Sequence, residues 1–408
     1  MIQDTETRLR PSWLLLGPAF VAAIAYVDPG NVAANVSAGA QFGFLLVWVI
    51  VVANAMACLV QYLSAKLGLV TGMSLPEAVG SRMKRPTRLA YWLQAELVAM
   101  ATDLAEVMGG AIALYLLFDL PLLTGGIITG VVSLLLLVVK DRRGQRTFER
   151  VITGLLLVIA VGFLTSLFVA PPPIGEAVAG LVPRFEGTES VLLAAAMLGA
   201  TVMPHAVYLH SGLARDRHGH PDVGPRRRML LKVTRWDVGL AMLIAGAVNL
   251  SMVLVAATTL QGREGTDSIE GAHAAVQDTL GPTVALLFAI GLLASGLASS
   301  SVGAYAGAMI MQGLLKRRYP LLLRRVVTLI PALVILAIGV DPSRALVLSQ
   351  VVLSFGIPFA LIPLIRLTAD RALMGDDANH RVTTALGWLV ALVISGLNVV
   401  LIYLTITG

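Results

Sequence analysis

The chain has 408 residues, 57% of them hydrophobic and only 13% charged, whereas a soluble domain has about a quarter of its residues charged and about half or less apolar. That composition excludes a soluble domain and indicates an all-α, polytopic membrane protein. The net charge of +6 does not point to nucleic acid, because the basic residues lie in short loops between apolar runs, where they set topology. Cys58 is the only cysteine, so no disulfide framework or thiolate metal site is expected and Cys58 reads as packing.

The charged stretch Gln3–Arg10 has no small-residue cleavage site and does not read as a removable signal peptide. Eleven apolar segments follow that are long enough for a bilayer of ~30 Å. They run over about 12–38, 43–70, 89–118, 121–140, 148–170, 190–214, 233–260, 273–314, 321–340, 344–367 and 383–406. The eighth is over-long and is expected to continue beyond the membrane as one helix. All of the 30 Lys and Arg residues except Arg184, Arg263 and Arg344 fall on one side of this arrangement. The asymmetry predicts a multi-pass protein of the cell's inner (plasma) membrane, with its N-terminus in the cytoplasm and its C-terminus outside.

The first span contains Ala25-Tyr26-Val27-Asp28-Pro29-Gly30-Asn31. A mid-membrane carboxylate is expensive, proline removes a backbone hydrogen bond, and glycine weakens the helix further. The stretch predicts a helix break, which is tolerated in a bilayer only when buried in protein or lining a watery cavity. In the third span, Glu96, Asp103 and Glu106 are seven and three residues apart and share a helical face. Facing lipid, three acids would be prohibitive, so they are expected to line a polar path or pair with cations, with Arg324 and Arg325 at the start of the ninth span as the partners. Such a stripe reads either as a proton relay or as an ion-pair network fixing helix packing.

A second break is expected in the sixth span at Gly199-Ala200-Thr201-Val202-Met203-Pro204-His205. The breaks lie five spans apart, and an odd number inverts the second copy, so the chain reads as inverted repeats over about 12–170 and 190–367 with an extra helix over about 383–406. Asp28 and Asn31 offer oxygen ligands, and the carbonyls of Ala25 and Ala200 sit at the negative ends of half-helices, which suits a cation. A lone methionine usually fills a gap. Beside Pro204 and opposite a second break, Met203 reads instead as a soft ligand that favours first-row transition metals such as Mn²⁺ or Fe²⁺ over Mg²⁺ or Ca²⁺. His205 can titrate near neutral pH and affect coupling, and His210 reads as lining an inner vestibule or bonding a neighbouring helix. Tyr26 and Gln61 read as pore-lining groups, Asn249 as a hydrogen-bonding support for the breaks, and His218 and His220 as part of a solvated loop. Small residues from Gly291 to Gly303 allow close helix approach.

Asp28-Pro29-Gly30-Asn31, together with Met203-Pro204-His205, His210 and the stretch from Gln94 to Glu106, resembles the Nramp family of divalent metal transporters, and within it the bacterial proton-coupled manganese transporters. The resemblance covers essentially the whole chain. It implies a LeuT-type fold and a metal set of Asp28, Asn31, Met203 and the carbonyls of Ala25 and Ala200, with Gln350 approaching in some states. It further implies proton movement through Glu96, Asp103, Glu106, Arg324 and Arg325, and a proton is expected to enter by Asp28 or nearby. The partners expected are divalent metal ions, protons and the bilayer, with no cofactor and no obligatory protein partner. A sodium-coupled organic-solute (amino-acid) symporter of the same fold is the alternative. A membrane enzyme is disfavoured, because no His-Glu cluster or nucleophile motif appears.

Overall fold

The computed structural model describes residues 15–263, 265, 266, 268–317 and 321–407. The Gln3–Arg10 stretch and residues 12–14 of the first expected span lie outside the described residues. Within them every regular element is helical. Among the described residues, nine helical segments are long and apolar enough to cross a membrane; the interrupted first span and the 17-residue Leu321–Ala337 helix stand at the other two positions where spans were expected.

The first span consists of α1 (Pro18–Ala23), a 3₁₀ turn (Ile24–Val27) and α2 (Pro29–Phe42). Then come α3 (Val47–Thr71), α4 (Leu75–Arg82), α5 (Arg85–Phe118), α6 (Leu122–Arg143), α7 (Gln145–Val169) and α8 (Ile174–Ala179). The sixth span divides into α9 (Gly187–Thr201) and α10 (Pro204–His218). The remainder is α11 (Pro225–Thr259), α12 (Ile269–Leu280), α13 (Pro282–Leu315), α14 (Leu321–Ala337), α15 (Pro342–Ala369), α16 (Arg371–Met374) and α17 (Arg381–Thr407).

The structure corrects the sequence reading at three places. The over-long eighth segment is two helices, because Gly281 adopts the left-handed region (φ 88) and ends α12, while Pro282 is already set for the first turn of α13. A short α4 stands where a loop was expected; it is built by a capping box in which Ser74 and Glu77 satisfy each other's backbone donors. His218 belongs to α10 rather than to the loop, and only His220 lies beyond the helix, with its Nδ1 3.2 Å from the Leu69 carbonyl.

The helices pack through small residues. A Cβ on Gly296 of α13 would lie 2.9 Å from the Gly110 nitrogen of α5, so the two backbones are in direct contact, as membrane helices achieve where side chains are absent. On the next face of α5, a Cβ on Gly109 would come within 1.9 Å of the Pro29 side chain. The first break is therefore seated against α5 at a point where only hydrogen fits. Gly109→Ala is expected to lower stability by ~1–3 kcal/mol and to reduce uptake, measured by thermal unfolding in detergent and by liposome transport. An unchanged midpoint would show that the seating is loose.

Candidate metal site

The breaks form where the sequence places proline. Asp28 is the N-cap of α2 in extended backbone (φ −70, ψ 168), with Pro29 next to it in the first turn. Its Oδ1 accepts from the Asn31 backbone nitrogen at 2.8 Å and from Asn31 Nδ2 at 2.7 Å. This is the ordinary way a helix start satisfies its free donors. Met203 is the N-cap of α10 in the same extended region (φ −69, ψ 122), again with Pro204 following.

A break frees carbonyls, and buried carbonyls need partners. Those of the first break are met by side chains from three separate helices. Val27 O accepts from Ser295 Oγ of α13 at 2.6 Å. Tyr26 O accepts from Asn249 Nδ2 of α11 at 2.7 Å, and Asn249 Oδ1 accepts in turn from Asn35 Nδ2 at 3.0 Å. Ala25 O is approached by Asn31 Nδ2 at 3.5 Å. The supporting role expected of Asn249 is thus present, while Ser295 and Asn35 carry no signal in sequence that separates them from packing residues.

Asn31 Nδ2 also donates to the Ala200 carbonyl of the second break at 3.0 Å. One amide nitrogen therefore touches the Asp28 carboxylate, the Ala25 carbonyl and the Ala200 carbonyl. A partly positive NH₂ group occupies the focus of three negative oxygens. Asp28 Oδ2 and Asn31 Oδ1 are buried without hydrogen-bond partners. Half a turn of the Asn31 amide would replace its donor at that focus by an oxygen, giving an oxygen-lined cradle.

Gln350 of α15 spans the two breaks. A Cβ on Gly30 would fall 1.7 Å from Gln350 Nε2, and one on Gly199 would fall 2.0 Å from the Gln350 carbonyl. Gln350 Oε1 is buried and unpartnered. Asp28, Asn31, Ala200, Met203 and Gln350 are all fully buried, and Ala25 nearly so, so the set is closed to solvent in this conformation. Among the described residues no group of three His, Cys, Asp or Glu side chains is placed to hold a metal. The focus is a mixed one of carboxylate, amide and carbonyl groups.

Two of the three acids of the stripe pair with the expected arginines. Arg324 Nη2 donates to Glu96 at 2.9 Å and Arg325 Nη1 to Asp103 at 2.6 Å. Arg325 also donates to Ser133 at 3.2 Å and to Ser300. Glu106 differs: both carboxylate oxygens are buried and unpartnered, and the absent side chain of Gly303 leaves the space it fills. His205 Nδ1 lies 3.4 Å from Thr102 Oγ1, the residue before Asp103, which puts it between the second break and the acid helix. His210 Nδ1 donates to Gln61 Oε1 at 2.7 Å, and Gln61 Nε2 donates to the Tyr26 hydroxyl at 2.5 Å. Tyr26 and Gln61 are fully buried, so in this conformation they join helices rather than line an open pore.

Sequence reading passed over Asp237. Its two carboxylate oxygens accept from the Gly17 and Ala19 nitrogens, each at 2.9 Å, and so hold the start of α1 against α11. Glu149 packs against Gly17 and pairs with Arg217 at 3.4 Å. An acid near the end of an apolar helix is the only sequence signal for either residue.

Two half-helices meet at a buried polar focus inside a bundle of membrane-length helices, an arrangement typical of membrane transporters. Residues 19–404 match the family model for natural resistance-associated macrophage protein-like proteins. The divalent metal cation transporter MntH of Mycobacterium tuberculosis (strain ATCC 25618 / H37Rv) is 74% identical over 408 residues, which is all of this chain and 95% of that protein. The structure of a manganese transporter from Eremococcus coleocola superposes with a TM-score of 0.86 at 30% identity, covering 98% of this chain and 88% of that one. A more distant likeness to MhsT, with a TM-score of 0.57 at 14% identity over 95% of this chain and 97% of that one, shows the shared LeuT-type fold alone. The chain belongs to the Nramp family.

Proposed function

We propose that the chain is a divalent metal cation transporter, importing Mn²⁺ and Fe²⁺ into the cytoplasm by alternating access coupled to proton co-transport. The observation that carries this reading is the focus at Asn31 Nδ2, where the Asp28 carboxylate and the Ala25 and Ala200 carbonyls converge within 2.7–3.5 Å. The ligands are Asp28, Asn31, Met203 and the two carbonyls, with Gln350 free to complete the set. Oxygen with one sulfur matches the softness of first-row dications better than Mg²⁺ or Ca²⁺. Family membership and the names of the relatives support the metal; Gln350 packed on Gly30 leaves little room for an organic solute with an amine and a carboxylate.

In this mechanism the inverted repeats, 12–170 and 190–367, supply one broken helix each. These tilt against a scaffold of α5, α6, α13 and α14, while the chain lies in the inner membrane with a cytoplasmic N-terminus. A dication binding at the breaks displaces a proton from Asp28 or its surroundings. The proton leaves by way of Glu106, Asp103 and Glu96, the last two paired with Arg325 and Arg324, with His205 and His210 adjusting the path. An inside-negative potential drives cations inward by ~2.3 kcal/mol per charge per 100 mV.

Two measurements test the reading. Met203→Ala is expected to narrow discrimination against Ca²⁺ and Mg²⁺ more than it lowers Mn²⁺ uptake into liposomes; equal loss for every ion would remove the sulfur's role. Asp103→Asn is expected to retain metal uptake while weakening proton entry, read by an internal pH dye. Intact proton flux would leave the acid stripe a structural ion-pair network.

A further inference from the structure

Away from the breaks, the start of α5 and the end of α13 enclose a recess of about 450 Å³ lined by Arg85, Arg88, Leu89, Leu315 and Arg317. We propose that it binds an anionic phospholipid, with the arginines holding the phosphate and an apolar stripe on α5 holding an acyl chain.

The arginines are available. Arg85, Arg88 and Arg317 make no ion pair or hydrogen bond with any described residue, and Arg88 Nε is shielded from solvent without a partner. None of the described lining residues is acidic, so the three guanidinium groups share the recess with no described carboxylate beside them. Guanidinium donors match phosphate geometry in two-point contacts. Lys84, the N-cap of α5, offers no side-chain hydrogen bond to the first turn, and the free backbone donors there favour an anion as well. On the other wall Lys316, in the left-handed region at φ 57, turns the chain out of α13 and brings Arg317 to the rim.

A phosphate alone would leave the rest of the surface unexplained. Leu89, Leu93 and Leu97 are 40%, 54% and 56% exposed and recur every four residues, so they form one stripe running from the recess along α5. Exposed leucines of a membrane helix face acyl chains, and basic pockets at helix ends suit anionic headgroups. Together the two halves match the amphipathic shape of a lipid. A second basic recess, lined by Arg371, Asn379, Arg381 and Trp388 among others, serves as a contrast. Asp370, Asp376 and Asp377 lie in the adjoining turn, and Asp377 there already pairs with Arg227.

The test uses the full chain in a non-ionic detergent, with thermal unfolding followed on adding phosphatidylglycerol or phosphatidylcholine of matched chains. Phosphatidylglycerol is expected to raise the midpoint by several degrees more than phosphatidylcholine, as a ligand of the folded state does. The variant Arg85→Gln/Arg88→Gln/Arg317→Gln should lose most of that difference while keeping its midpoint in phosphatidylcholine within about a degree. The control Arg371→Gln/Arg381→Gln should keep the difference. A triple variant that responds like the parent, or a control that loses as much, would overturn the proposal. So would inorganic phosphate reproducing the shift, which would mark a soluble-anion site. Should the triple variant fail to fold, native mass spectrometry of Arg317→Gln decides: reduced retention of phosphatidylglycerol supports the site and unchanged retention overturns it.

Discussion

Asp28→Ala is expected to abolish saturable Mn²⁺ binding in isothermal titration and Mn²⁺ uptake into liposomes. Asp28 carries the one formal negative charge among the proposed ligands, and it is fully buried. Without it a dication at the focus would be held by dipoles alone. Removing one member of a buried charge pair costs on the order of 3–5 kcal/mol, or roughly a hundred- to several thousand-fold in affinity. The substitution also removes the acceptor of both Asn31 donors, worth about 1 kcal/mol as a helix cap. Asp28→Asn separates the two effects, because an amide oxygen still caps α2 but carries no charge. The asparagine variant should fold with nearly the parent midpoint and still bind no Mn²⁺. Parent-like titration of either variant would dismiss the assigned site.

Arg325→Leu is expected to be the most destabilising single change outside the breaks. Arg325 has no exposed surface and donates to Asp103, Ser133 and Ser300, which come from α5, α6 and α13. Its loss leaves the Asp103 carboxylate buried among three helices with no cation. The expected cost is ~3–5 kcal/mol, seen as a large fall in thermal midpoint or in the yield of folded protein. Adding Asp103→Asn to Arg325→Leu removes the stranded charge and should restore part of the stability, a non-additivity characteristic of direct partners. If the double variant were no more stable than Arg325→Leu, the pair would not be the source of the effect.

The two breaks were legible because their cause is local. Asp-Pro-Gly-Asn and Met-Pro-His inside apolar segments contradict helix and lipid at once, and the structure caps its half-helices at Asp28 and Met203. The pairing of Glu96 and Asp103 with Arg324 and Arg325 was legible for a similar reason, since buried charges on one face require countercharges. The break at Gly281-Pro282 was also written locally, in a glycine followed by a proline shortly after Gln277-Asp278-Thr279, but it lay within a stretch read as one long span. Asp237 could not be found this way. Its partners are main-chain nitrogens at Gly17 and Ala19, which any residue provides, some 220 positions distant.

By itself, the sequence determined that this chain crosses a membrane many times, where its helices must fail, and that the first failure carries an acid. Burial energy and backbone hydrogen bonding impose those conclusions segment by segment, without reference to the rest of the chain. Only the tertiary structure decided that Asn31 reaches Ala200 across the gap, that Gln350 rests on Gly30 and Gly199, and that Ser295 and Asn249 satisfy the freed carbonyls. Those contacts join distant parts of the chain, and they form because every polar group exposed by a break inside lipid must find its partner in another helix.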